Sequence, residues 1–186
     1  VYANLRYKLL GLICERNLSY SKIGKLYQIS RGIKNNKIDI IGTAIDQNKI
    51  IRFAKKDYSL KIDFLKKKYE LFDKTILLQV VRLTPIKNPY ALINMFEILL
   101  EMDNNFILIL IGGGELENDI KQIIKDKNML DKVIFLGPIY DEDQLAPWFK
   151  LSDIFVMPTC IGLSAHHAFC YSLPIVTDNS LINQAS

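Results

Sequence analysis

From Lys74 onward the apolar positions follow two alternating rhythms. TILLQVVR (75–82) is a near-continuous apolar run rich in β-branched residues, as in a strand covered on both faces, and Leu92, Met95, Phe96 and Leu99 then recur at helical spacing. Asn88 and Pro89 supply a cap and a preset first residue for that helix, so its free N–H groups should point back toward the strand end. The unit repeats: FILILIG (106–112) runs into Gly113 and Gly114, then a helix with Leu116, Ile120, Ile123 and Ile124 on one face. VIFLG (133–137) leads through Pro138 to DEDQ (141–144), a capping-box pattern opening a helix with Leu145, Trp148 and Phe149, which Pro147 should kink or shorten. IFVMP (154–158), a helix carrying His166 and His167, and PIVT (174–177) complete the series. Five such alternations with short connections predict the α/β class, a doubly wound parallel sheet with right-handed crossovers. Ligands of such sheets bind outside the carboxyl ends of the strands, where Arg82, Gly112 to Gly114, Gly137, Pro158 to Gly162 and Thr177 fall.

Before Lys74 the pattern is weaker. Residues 5–30 look helical, with Leu10, Ile13 and Leu18 among basic residues, and KIDIIGTAID (37–46) suggests a buried strand running into a turn. KKDYSLKIDFLKKKYELF (55–72) sets Leu60, Phe64 and Leu65 among lysines, as in a surface helix. The chain begins at Val1 without an initiator methionine and stops at Ser186 after a strand and a polar turn, so it reads as a fragment, incomplete at its carboxyl end.

At 186 residues, 49% hydrophobic and 24% charged, the chain is of the soluble globular class and long enough for one domain or slightly more. Its longest apolar runs are far below the roughly 18–20 residues that span a bilayer, and no signal-peptide pattern opens it, so a cytoplasmic location is expected. Cys14, Cys160 and Cys170 have no CxxC spacing, which argues for packed thiols rather than a zinc site or a disulfide framework. The net charge of +4 hides an asymmetry: residues 1–74 hold 17 Lys and Arg against 7 Asp and Glu, residues 75–186 hold 7 against 13. The basic part suits a solvated helix face or peripheral contact with the anionic inner face of the plasma membrane. Without an RNP or helix-turn-helix pattern beside it, no nucleic acid is expected.

The triplet Gly112, Gly113, Gly114 fails the GxGxxG pattern because Glu117 holds the sixth position, and no Walker motif is present. Arg82 ends a strand and Lys87 precedes a helix N-terminus, so two cations and a helix dipole converge on one anion unless both side chains are merely solvated. Ser164, His166 and His167 join a hydroxyl to imidazoles, but no GxSxG elbow surrounds the serine, which argues against a hydrolase.

The segments VVRLTPIKNPYALINMFEILL, LILIGGGELENDIK, DKVIFLGPIYDEDQLAPWFKLSDIFVMP and the histidine run followed by SLPIV resemble, in order, the carboxyl-terminal domain of family 4 (group 1) glycosyltransferases. IIGTAID (40–46) is similar to the turn at their domain junction, without its asparagine. The resemblance implies the GT-B fold, two Rossmann-like domains with a nucleotide-sugar donor bound by the second. Residues 1–50 would close the acceptor domain and the interdomain segment, 51–74 would be a linker helix, and 75–186 the donor domain. It further implies a cytoplasmic retaining transferase in polysaccharide or glycoconjugate synthesis, acting on an acceptor sugar or lipid-linked glycan and needing neither metal nor other cofactor; the fragment alone would be inactive. By the same resemblance Arg82 and Lys87 act in catalysis on the donor pyrophosphate. The donor site adds Gly113, Gly137, Pro138, Ile139, Thr159, Gly162, Leu163, Ser164 and His167: amides of Gly162 and Leu163 on the phosphates, the loop of Gly137 to Ile139 beside the nucleobase.

The family usually has two glutamates eight positions apart, the first near the transferred sugar and the second on the ribose. Thr159 and His167 stand there instead. A neutral imidazole offers one donor and one acceptor, enough to bond a ribose hydroxyl. His167 takes that role or packs under the sheet edge; His166, about 100° away on the helix, is expected to pack. Two other readings stay open, a sugar-nucleotide epimerase of the same fold and a non-catalytic nucleotide-sugar-binding domain.

Overall fold

The structure, a computed structural model, describes residues 9–42, 45–159 and 162–179. Its contacts divide the chain into two units, residues 1–44 and 45–184. In the first unit, β1 (Asn17–Ser19) pairs in parallel with β2 (Ile38–Ile40), and α1 (Lys22–Ser30) joins them. Ser21 caps α1 by accepting the Gly24 N–H at 3.0 Å. The helical reading of 5–30 holds for 9–13 and 22–30 but is corrected at Asn17–Ser19, where a strand too short to leave a periodic trace interrupts it, and residues 5–8 lie outside the described residues. Ile38 is buried, but Ile40 and Ile41 are exposed, so the buried strand expected over 37–46 is buried only at its start. Thr43 and Ala44, within the junction-like turn, lie outside the described residues, as do Cys160 and Ile161.

The second unit opens with two helices, α2 (Gln47–Ala54), capped by Asp46, and α3 (Ser59–Lys68). The expected surface helix is α3, with Leu60 and Phe64 exposed and Leu65 turned inward; α2 went unread because its sequence QNKIIRFA offers one buried residue, Ile50. Strands β3 (Thr75–Val80), β4 (Phe106–Ile111), β5 (Val133–Gly137), β6 (Ile154–Met157) and β7 (Ile175–Thr177) form one sheet in the order β5-β4-β3-β6-β7, every pair parallel. Helices α4 (Pro89–Met102), α5 (Glu117–Asp126), α6 (Glu142–Leu151) and α7 (Leu163–Cys170) follow the first four strands.

Alternate residues of each strand feed opposite faces. Ile76, Leu78, Ile107 and Ile109 pack with Leu145, Trp148 and Phe149 of α6, whereas Leu77, Leu108 and Leu110 pack with Leu92 and Phe96 of α4 and Ile120 of α5. Apolar coverage of both faces is why these strands read as continuous runs.

Two local expectations are corrected. Asn88 does not cap α4 through its side chain; it sits at φ 40°, a left-handed turn that delivers the chain to Pro89. Pro147 does not shorten α6, which runs on to Leu151 with Pro147 itself buried. A proline frees the carbonyl four residues earlier. Here that carbonyl belongs to Asp143, and it accepts the Lys61 ammonium of α3 at 3.3 Å.

Candidate functional site

The order β5-β4-β3-β6-β7 reverses direction beside β3, so the crevice outside the carboxyl ends of β3 and β6 is the topological switch point. Two loops meet there. The chain leaving β3 passes the exposed Arg82 and turns through Pro85–Lys87. The chain leaving β6 reaches Thr159, whose hydroxyl donates to the Lys87 carbonyl at 2.8 Å.

Gly162 then begins α7 in an extended conformation with no side-chain cap. The first N–H groups of a helix have no intrahelical acceptor, and they carry the positive end of its dipole. A Cβ on Gly162 would lie 3.6 Å from the Lys87 Nζ. Lys87, Thr159 and Gly162, scattered over the sequence, thus gather around one helix N-terminus. An ammonium beside the first amides of a helix is an arrangement suited to a phosphate.

The glycine triplet does different work. Gly112 (φ 144°) and Gly114 (φ 157°) press against the segment leaving β3: a Cβ on Gly112 would sit 1.8 Å from the Val81 carbonyl oxygen, and one on Gly114 2.4 Å from that of Leu83. The Leu83 N–H donates to the Gly113 carbonyl at 3.0 Å, and the Leu83 carbonyl accepts from the Leu116 N–H at 3.0 Å. Arg82 therefore stands on a segment clamped from both sides. A Cβ on Gly113 would meet Pro138 Cδ at 3.4 Å, which sets the triplet beside the turn after β5. In that turn Gly137 is left-handed at φ 68°, Pro138 is exposed, and Ile139 packs against the core cluster beneath.

On α7 Leu163 is exposed, while the Ser164 hydroxyl turns to the Met157 sulfur at 3.9 Å. The histidines part company. His167 Nε2 lies 2.8 Å from Glu142 Oε1, and the Tyr171 hydroxyl donates to the same oxygen at 2.6 Å. Both rings stack on Phe149, at 4.8 and 4.9 Å. Burial pushes the Glu142 carboxyl up, but the bonds from His167 and Tyr171 more than offset it and leave it below its ordinary value. An ionised carboxylate only accepts, so Nε2 carries the proton toward it and, in the neutral ring, Nδ1 is the acceptor. Burial, then Glu142, raises the Tyr171 phenol.

His167 is thus held by α6 rather than standing alone in the crevice. His166 is partly buried, and its Nδ1 has no hydrogen-bond partner among the described residues. Sequence reasoning missed Glu142 and Tyr171. Tyr171 follows His167 by one helical turn and was legible as a facing residue; Glu142, 25 positions away, left no such signal. Among the described residues no three His, Cys, Asp or Glu side chains are grouped to hold a metal ion, and no helix is long and apolar enough to cross a membrane.

The model of the family described as "Glycosyl transferases group 1" matches residues 61–184. EpsF of Bacillus subtilis is 32% identical over 87 residues, 47% of this chain and 22% of that protein. The UDP-Gal:alpha-D-GlcNAc-diphosphoundecaprenol alpha-1,3-galactosyltransferase of Escherichia coli is 30% identical over 152 residues, 77% of this chain and 37% of that protein. Among solved structures, Anabaena Alr3699/HepE in complex with UDP-glucose superposes with a TM-score of 0.76 at 17% identity, over 96% of this chain and 49% of that one. The lipopolysaccharide glycosyltransferase WaaG superposes at 0.69 and 14%, over 86% of this chain and 43% of that one. This chain therefore spans less than half the length of each of these proteins, and the structural likenesses speak to fold.

Proposed function

This chain belongs to the group 1 glycosyl transferases, and from that premise we propose that it carries the donor-binding half of a retaining enzyme that moves a sugar from a nucleoside diphosphate to an acceptor hydroxyl. Residues 75–186 are the donor domain in this reading and residues 1–50 the end of an acceptor domain. The observation that carries it is the gathering of Lys87, Thr159 and Gly162 at the switch point. In the reaction the bond from the anomeric carbon to the diphosphate oxygen breaks, a bond to the acceptor oxygen forms, and the acceptor proton is released. Negative charge grows on the departing diphosphate. Arg82, Lys87 and the amides of Gly162 and Leu163 stabilise it without help from a metal.

Gly113, Gly137, Pro138 and Ile139 line the nucleobase side, and Thr159, Ser164 and His167 border the sugar and ribose. UDP and GDP donors appear in the names of relatives, with acceptors on diphosphoundecaprenol and phosphatidylinositol mannoside. A sugar nucleotide donor and a lipid-linked glycan acceptor suit polysaccharide or glycoconjugate synthesis at the cytoplasmic face of the plasma membrane. Calorimetric titration of UDP, GDP and ADP tests the reading. One of them should bind, and Arg82→Ala and Lys87→Ala should each weaken it at least tenfold; failure of all three to bind sinks the phosphate site.

A further inference from the structure

Helix α7 is gripped toward its carboxyl end. His167 and Tyr171, one turn apart, reach the same oxygen of Glu142 at 2.8 and 2.6 Å, and Phe149 lies beneath both rings. Glu142 and Phe149 both belong to α6, so one carboxylate and one aromatic ring fasten two neighbouring helices. The Glu142 and His167 side chains are only 15% and 20% exposed, which shields the pair from water's competition. Five residues before His167 lies Gly162, beside the Lys87 ammonium.

A helix this short moves as a rigid rod, so a rotation permitted at His167 appears at Gly162. Among the described residues no side chain caps that end. The aim of its amides then depends on what grips the body of the helix.

We propose that Glu142 is a positioning residue for the donor diphosphate: by holding His167 and Tyr171 together it fixes α7 so that the amides of Gly162 and Leu163 face the same anion as Lys87. This inference rests on the donor reading above. It assigns a function to a residue outside the crevice, on a helix that supplies none of the proposed phosphate contacts.

The test compares UDP, GDP, inorganic pyrophosphate and uridine binding in the protein carrying this chain, in wild type and in Glu142→Ala, Glu142→Gln, Tyr171→Phe and Lys87→Ala, with circular dichroism as the fold control. Glu142→Ala should weaken the diphosphates and pyrophosphate at least fivefold and leave uridine, which has no phosphate, within twofold. Glu142→Gln keeps an oxygen that accepts from both partners and should stay within threefold of wild type. Tyr171→Phe should cost about threefold, and it carries the test if Glu142→Ala does not fold. A folded Glu142→Ala that binds diphosphate as wild type does, or that loses uridine and diphosphate equally, overturns the inference. If Lys87→Ala weakens binding while Glu142→Ala and Tyr171→Phe do not, the positioning role alone falls. If wild type binds no diphosphate or Lys87→Ala has no effect, the donor reading falls and takes this inference with it.

Discussion

Two glycine-bearing turns leave adjacent regions of the same sheet edge, and they use the missing side chain in opposite ways. After β4, the absent Cβ of Gly112 is space already taken by the Val81 carbonyl, which would be 1.8 Å away. After β6, a Cβ on Gly162 would meet, among the described residues, only the Lys87 Nζ at 3.6 Å, an ordinary contact distance. The first glycine is there so that two backbones touch. The second leaves room beside a cation. A triplet that looks like a phosphate loop is therefore a structural clamp, and in the proposed donor reading it is a single glycine in a less conspicuous setting that faces the anion.

Four measurements bear on that contrast. The largest effect is expected from Gly112→Ala, which must displace the β3 exit and adopt an unfavourable φ; it should destabilise the fold by about 3 kcal/mol or more, and a melting temperature near wild type would refute the clamp. Next, Lys87→Ala should leave the melting temperature within a few degrees while weakening nucleoside diphosphate binding tenfold or more, about 1.4 kcal/mol. Gly162→Ala fits its extended backbone, so it should fold normally and lose about two- to threefold in affinity as the methyl crowds the ammonium. A loss of folding there would mean that the two turns are alike after all.

The smallest effect concerns the support beneath the open turn. Because the folded Glu142 carboxyl lies below its ordinary value of 4.5, its hydrogen bonds add stability at pH above that value and lose it as the pH falls through the lowered one. The melting-temperature gap between wild type and Glu142→Gln should therefore narrow from pH 7 toward pH 3. A gap that widens in acid would show that the carboxylate is not the stabilising form.

The central strands β3, β4 and β6 of the second unit were legible because their runs are apolar on both faces, which makes a strand visible without any knowledge of its neighbours. The first unit was less so: Asn17, Leu18 and Ser19 form a strand only because Ile38, Asp39 and Ile40 lie beside them. That Pro147 does not shorten its helix was hidden for a similar reason, since the carbonyl it frees accepts a lysine from another helix. At the candidate site, the residue types and their place at the sheet edge could be read in advance. The partners could not, because pairings such as Glu142 with His167 depend on how two helices rotate against one sheet and leave no trace in spacing.

The hydroxyl of Thr159 has a consequence for anyone who would restore the family's usual glutamate there. Threonine donates to the Lys87 carbonyl, whereas an ionised carboxylate can only accept and would repel that oxygen. In the proposed donor reading the exchange would add an acid near the transferred sugar at the expense of the turn from which Lys87 projects. Position 159 and the basic turn are thus tied to each other, and a change that looks like a repair at one is a lesion at the other.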